Sequence, residues 1–259
     1  MKIIIGINTY HADLSACIIV NGKLIAAIEE ERINRKKHYS GYPIESIKEC
    51  LRIADKKDSE ITDIAFNTRP SSNLLPKGIF FLKNFSFKKV LLSESFKNKI
   101  NVKGLLLNKF TLNKNVKFHY IEHHLAHIAS AFYPSGFNDA VGLSIDGSGD
   151  FVTLAISECK NDRIKIIKKI NFPNSLGIFY HAMTQFLGFK NYGDEYKVMG
   201  LAAYGEPKYF DKIKDNLFIK NNKSIFELNL NYFNHHKNSF KYIAEDSLHI
   251  DEIFNSNLN

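Results

Sequence analysis

The sequence predicts an α/β protein built as a duplicated domain, with an incomplete second copy and a basic helical insertion in the first. Three observations carry this. Short β-branched runs alternate with stretches of helical periodicity, as in α/β folds. The order strand, turn, strand, turn, strand, helix occurs twice, from residue 3 and again from residue 140. Ten lysines and one acid, Glu94, lie between Lys77 and Lys117, so the net charge of +8 belongs to one segment.

Each element has a local reason. Residues 3–7 form an unbroken apolar run and read as a buried strand. A polar turn follows from Asn8 to Ser15. Residues 15–20 and 23–28 flank Asn21-Gly22, the signature of a two-residue hairpin. Pro43 opens a helix with Ile44, Ile47, Leu51 and Ile53 as its apolar positions. Residues 61–67 read as another strand, and the basic segment, about 76–114, as inserted helices before a short strand at 116–121. The next helix carries His123, His124 and His127 and ends at Pro134-Ser135-Gly136.

The second copy begins with a strand at 140–145 and a turn, Asp146-Gly147-Ser148-Gly149-Asp150. Strands at 151–157 and 163–170 and a helix from about Ser175 to Leu187 complete the repeat. Beyond Pro207 the chain turns Asn- and Lys-rich without a clear element, through to the tail Asn255–Asn259. The first subdomain therefore spans 1–138 and the incomplete second 139–259.

A hydrophobic content of 44% over 259 residues supports real cores and excludes bulk disorder. Cys17, Cys50 and Cys159 are far apart and form no knuckle or redox pair, which indicates a reducing compartment. Asn8, His11 and Asp13 interrupt the apolar start before a signal peptide forms. No run approaches the roughly 18 apolar residues of a membrane span. A cytoplasmic protein without membrane contact is expected. Phe80, Phe81, Phe85, Phe87, Phe96 and Phe110 interleave with the lysines, as on a surface for nucleic acid or an acidic partner. The competing reading, a solvated helical hairpin with its phenylalanines in the core, is preferred because no nucleic-acid motif accompanies the charge. No nucleic-acid partner is expected.

The candidate chemistry centres on His123, His127 and Asp146. Histidines at i and i+4 share a helix face and can share a metal, and a carboxylate on a strand end adds a third ligand. Surface or capping histidines would show the same spacing. His124 lies about 100° around the helix from His123. It also occupies the position of the general base in a His-Glu-x-x-His metalloprotease, which disfavours a peptidase. Gly147, Ser148 and Gly149 allow close approach of phosphate, although an ordinary Asp-Gly turn is the commoner meaning. Asn8, Asp13 and Ser15 make the lead turn a second phosphate candidate, and the two turns would face each other across a nucleotide. His11 is its acid–base candidate, because imidazole titrates near neutral pH. Glu31 and Arg32 lie in a charge run that commonly means a solvated face. Glu195 and Lys197 lie in a glycine-bracketed stretch that could form a substrate loop.

Taken in order, Gly6-Ile7-Asn8-Thr9-Tyr10-His11, Glu29-Glu30-Glu31-Arg32, Glu122 through Tyr133-Pro134-Ser135, Asp146-Gly147, and Gly193-Asp194-Glu195-Tyr196-Lys197-Val198-Met199-Gly200-Leu201 resemble the NodU/CmcH-type O-carbamoyltransferases. The resemblance implies an actin-like ATPase (ribonuclease H-like) domain, related to the proteins that form threonylcarbamoyl-adenosine in tRNA. It implies a C-terminal YrdC-like domain that makes carbamoyl-adenylate from carbamoyl phosphate and ATP. The carbamoyl group then passes to a hydroxyl of a small-molecule acceptor.

By position, His123, His127 and Asp146 match divalent-metal ligands, usually for Fe2+ with Zn2+ as alternative, and His11 matches the active-site base. Asn8, Asp13, Ser15, Gly147, Ser148 and Gly149 would meet the nucleotide, and Glu31, Arg32, Glu195 and Lys197 the substrate. Ala203 departs from the proline usual after Leu-Ala in such proteins. The family also continues well beyond this length, so the chain is expected to be an N-terminal part. Its C-terminal half and YrdC-like domain would come from a separate chain. A non-catalytic remnant with a metal- or substrate-binding surface is the alternative.

Overall fold

Isoleucines at alternate positions organise the first sheet, in a computed structural model that describes residues 1–9, 13–39, 41–84, 102–220, 224–233 and 235–236. The strands are β1 (Ile3–Asn8), β2 (Ser15–Val20), β3 (Lys23–Glu29), β4 (Asp63–Phe66), β5 (Lys117–Tyr120), β6 (Asp139–Gly149), β7 (Val152–Lys160) and β8 (Arg163–Asn171). The helices are α1 (Glu30–Asn34), α2 (Ile44–Ile53), α3 (Leu74–Asn84), α4 (Val102–Lys109), α5 (His123–Phe132), α6 (Leu176–Phe186), α7 (Glu195–Ala202) and α8 (Phe210–Leu217). Two compact units result, Met1–Ser72 with Ser86–Ala126, and Asn73–Phe85 with His127–Asn259.

In the first unit the strand order is β3-β2-β1-β4-β5. The first three strands are antiparallel neighbours, whereas β4 runs parallel to β1 and β5 parallel to β4. Ile3, Ile5 and Ile7 are buried with Ala16 and Ile18 of β2. Burying each such side chain contributes about 1.5–3 kcal/mol. Helix α2 adds Ile47, Cys50 and Leu51, and α4 leads Leu106 and Phe110 into the same core. The expected core position Ile53 is 45% exposed. It lies two residues past Leu51, about 200° around the helix, and so falls off the buried stripe. The ribonuclease H-like α/β plan expected from the sequence is present.

The second unit holds the antiparallel sheet β6-β7-β8. Its first hairpin repeats the register of β1–β2. Ile3↔Val20, Ile5↔Ile18 and Ile7↔Ala16 become Val141↔Glu158, Leu143↔Ile156 and Ile145↔Leu154, a constant offset of 138 residues (141 less 3, 158 less 20). The duplication is therefore one of strand register, and it places Asp146 where the first copy has Asn8.

The turn expected at 146–150 is corrected. Strand β6 continues through Gly149, and its pairing with β7 lapses between Ile145 and Gly149. Asp150 and Phe151 make the reversal, with φ of 51° and 75°. A two-residue type I′ hairpin needs positive φ at both central residues, and here they are not the glycines.

The basic segment is not one hairpin. Helix α3 belongs to the second unit and α4 to the first. Phe80 joins an aromatic cluster with Phe151 and Phe172, while Phe110 lies in the first core. Phe85, Phe87 and Phe96 lie outside the described residues. A helix also follows Pro207, where no element was expected: α8 buries Leu217, with Ile213 beside it. Among the described residues no helix is long and apolar enough to cross a membrane.

Candidate metal centre

Helix α5 starts at His123, directly after β5, and runs unbroken past the division between Ala126 and His127. Its later turns place Ile128 and Phe132 in a core with Val152, Ala155 and Cys159. Gly142 of β6 permits this approach, since a Cβ there would lie 2.6 Å from Ile128 Cγ2. His127 is thereby held over strand β6, which carries Asp146.

His123, His127 and Asp146 each offer a ligand atom, and these atoms lie within 4.8 Å of one another. His127 Nε2 is 3.9 Å from Asp146 Oδ2, too long for a hydrogen bond. Ligands about 2.1 Å from one ion, at 90–109°, stand roughly 3.0–3.4 Å apart, so binding would draw the three inward by about an ångström.

The surrounding groups orient the ligands. His123 Nδ1 is 3.2 Å from the Asn67 carbonyl oxygen. A carbonyl only accepts, so Nδ1 carries the proton and Nε2 the lone pair a metal needs. Asp146 Oδ1 accepts from the Gly147 amide at 2.6 Å, and Oδ2 faces His127. Ser175 fixes the backbone behind it, donating towards the carbonyls of Asp146 at 3.1 Å and Gly147 at 2.7 Å. The same hydroxyl caps α6 by accepting from Ile178 N at 3.0 Å. Gly177 completes the contact: a Cβ there would lie 2.5 Å from Gly147 N and 2.7 Å from the Asp146 carbonyl carbon. Ser175, Gly177 and Gly142 position the site; the sequence marks Ser175 only as a helix start and neither glycine as part of a site. Gly177, two residues after a helix N-cap serine, was the available signal.

His124 is 0% exposed, so it is a core residue. A buried imidazole in the position of a peptidase's general base leaves the peptidase reading without support.

The remaining candidates fall into separate places. In the lead turn, Asn8 Nδ2 donates to the Asp13 carbonyl, and Asn8 Oδ1 accepts from Asn67 Nδ2, both at 3.0 Å. Ser15 pairs across the sheet with Asn8 and Glu29. Asp13 takes a φ of 66° and its carboxylate lies 3.0 Å from His38 Nδ1. Among the described residues the buried Thr9 hydroxyl has no hydrogen-bond partner. His11 lies outside the described residues.

Glu31 accepts from the His38 amide at 3.4 Å, while Arg32 pairs with Glu29 at 3.0 Å on the exposed face of α1. His38 thus links two stretches that the sequence reading kept apart. Gly147, Ser148 and Gly149 are strand residues rather than a turn. Glu195 and Lys197 open α7, paired with His181 at 2.5 Å and Asp194 at 2.7 Å. The Lys197 ammonium beside Asp194 holds that carboxyl below its ordinary value. Gln185 reaches the other ring nitrogen of His181 at 3.0 Å, so Glu195 belongs to a network staple between α6 and α7.

A family model described as carbamoyltransferase N-terminus matches residues 3–256. The chain is 36% identical over 248 residues to the uncharacterized protein sll1178 of Synechocystis, covering 91% of this chain and 40% of that protein. It is 34% identical over 206 residues to the nodulation protein NolNO of Sinorhizobium fredii, covering 77% of this chain and 29% of that one. The chain thus spans less than half the length of these curated relatives. Among solved structures, YeaZ from Pseudomonas aeruginosa is similar with a TM-score of 0.40 and 13% identity, over 67% of this chain and 68% of that one.

Proposed function

This chain belongs to the carbamoyltransferase N-terminus family, and from that premise we propose that it is the acceptor-carbamoylating part of an O-carbamoyltransferase. The substrates are carbamoyl-adenylate, made from ATP, and a small-molecule acceptor with a free hydroxyl, in natural-product or carbohydrate biosynthesis.

One observation carries the reading: two imidazoles and a carboxylate converge within 4.8 Å, with the His123 tautomer set by the Asn67 carbonyl. Mixed nitrogen and oxygen donors suit iron or zinc. His123, His127 and Asp146 would hold a divalent cation, Fe2+ before Zn2+, which when bound would supply positive charge beside the adenylate phosphate.

The chain's own residues do the rest. The acceptor oxygen forms its bond to the carbamoyl carbon as the bond from that carbon to the adenylate oxygen breaks. His11 takes the hydroxyl proton. Asn8, Asp13 and Ser15 shape the lead turn against the nucleotide, and the buried Thr9 hydroxyl offers it a hydrogen bond. Gly147, Ser148 and Gly149 let phosphate approach the backbone closely, with the Gly147 amide itself held by Asp146 Oδ1. Glu31, Arg32, Glu195 and Lys197 bound the substrate's surroundings.

Metal analysis of the purified chain, reconstituted with Fe2+ or Zn2+, tests the centre. About one equivalent is expected in wild type, and at least tenfold less in His127→Ala. Equal content in both would refute it. Carbamoyl transfer from carbamoyl phosphate and ATP is expected only when the C-terminal portion of such an enzyme is also present.

A further inference from the structure

We propose that Asn67 is a positioning residue that couples the lead turn to the metal ligand His123. Two groups of this one residue do so: its side-chain amide holds Asn8, and its main-chain carbonyl holds the proton on His123 Nδ1. The proposal rests on the metal reading above and adds a link through which the turn and the metal respond to each other.

The sheet sets up the contact. Strands β1 and β4 run parallel with Ile7 opposite Phe66, so Asn8 and Asn67 are the next residues on neighbouring strands. Both stand at the carboxyl ends of those strands, where open α/β sheets bind ligands. On the other side of β4 lies β5, and Ile121 N donates to the Phe66 carbonyl at 2.9 Å. Helix α5 starts two residues later at His123, so the chain entering it passes beside Asn67.

Hydrogen-bond accounting fixes both amides. The Asp13 carbonyl only accepts, so the Asn8 group 3.0 Å from it is Nδ2. Asn8 Oδ1 then faces Asn67, which answers with its own Nδ2 at 3.0 Å. Asp13 closes the turn in the left-handed region, with φ of 66°, and its carboxylate lies 3.0 Å from His38 Nδ1. A path of hydrogen bonds thus runs from His38 through Asp13, Asn8 and Asn67 to His123, all within the first unit.

The last link is the sensitive one. At 3.2 Å it stands at the long end of the hydrogen-bond range. A metal on Nε2 fixes the imidazole, and with it the carbonyl that the Nδ1 proton meets. The Asn67 side chain leaves the same Cα and carries that restraint to Asn8 and across the turn to Asp13. Linkage is reciprocal, so a ligand that orders the lead turn raises metal affinity by the same factor.

Thr62 supplies the control. Its Oγ1 accepts from Ile3 N at 3.0 Å and donates to the Ile3 carbonyl at 2.8 Å, tying β1 to β4 at the end away from the lead turn.

The test titrates the full chain with Zn2+ and follows hydrogen exchange at residues 13–15. In wild type, saturation should slow exchange there by about fivefold or more, the low end of coupling between sites. Asn67→Ala and Asn67→Asp keep the main-chain carbonyl. Both should still bind about one equivalent of Zn2+, yet exchange at 13–15 should stay within about twofold of the metal-free protein. Thr62→Val loosens the same two strands and should keep the wild-type response. If Asn67→Ala fails to fold, Asn67→Asp, equal in size to asparagine, decides. Zn2+ uptake by wild type with no change at 13–15, a full response in the Asn67 variants, or an equal loss in Thr62→Val would overturn the proposal and leave the metal reading standing. A wild-type chain that takes up no Zn2+ overturns both.

Discussion

Gly177→Ala should loosen the metal centre from behind. A Cβ at this position lies 2.5 Å from Gly147 N, 2.7 Å from the Asp146 carbonyl carbon and 2.8 Å from the Asp146 carbonyl oxygen. Ordinary contact begins near 3.4 Å, so the deficit is about 0.6–0.9 Å against backbone at all three atoms, and no side chain can swing aside to absorb it. Two effects compete. Alanine in place of glycine in a helix gains about 0.5–1 kcal/mol. Overpacking against a fixed backbone costs about 1–3 kcal/mol. The clash should win, because α6 and the Asp146 strand are tied together by the Ser175 hydroxyl and cannot part without losing its bonds. A net loss of about 1–2 kcal/mol corresponds to a melting shift of roughly 2–8 °C for a domain of this size. Displacing a ligand's support typically weakens metal binding by about 10–100-fold. Thermal melting and titration with Zn2+ measure both. Gly147→Ala is the control, since nothing lies within 4 Å of its Cβ. A Gly177→Ala protein with wild-type melting temperature and wild-type metal affinity would refute the account of how Asp146 is held.

Other outcomes follow from the same geometry. Ser175→Ala removes the α6 cap and the donor to two carbonyls; it should cost about 1–2 kcal/mol and weaken metal binding less than His127→Ala does, as melting and metal titration together show. Gly142→Val should separate α5 from β6, lowering metal affinity while His123 and His127 remain intact; unchanged affinity would contradict the role given to this close approach. Burial pushes His235 down to about 4, so its unfolded form binds a proton that the folded form refuses. Stability of the second unit should therefore be whole above about pH 6.5 and fall as the pH drops towards 4; a His235→Gln variant that keeps the full slope would count against this. Hydrogen bonds from Thr62 and His119, with Lys2 beside them, hold Asp63 down to about 2. Its contribution to the first unit is complete above about pH 4 and lost as the pH falls through about 2, which Asp63→Asn should flatten in unit-resolved hydrogen exchange.

Much of this protein is legible locally. The run of residues 3–7, the Asn21-Gly22 turn and Ser175 at a helix start each state their structure within a few residues, and the corresponding elements form where expected. Spacing alone puts His123 and His127 on one face of one helix, because a helix turn is a local period. The repeated strand order was legible too, although the sequences of the two copies diverge.

The tertiary structure decided what depends on distant residues. Asp146-Gly147 reads as a turn, yet the chain stays extended there and reverses at Asp150-Phe151, because β7 pairs again only at Gly149. Histidine spacing cannot say which of three neighbouring imidazoles faces solvent; packing buries His124 and leaves His127 exposed. That Asp146 reaches the histidines depends on Gly142 and Gly177, whose missing side chains matter only once helices press against them. The sequence by itself determined the elements, their repetition and the ligand types, since propensity and period act over a few residues. Only the packed chain decided their convergence and the exposure of Val141, Leu143 and Ile145 on β6, since both are properties of surfaces built from residues far apart in sequence.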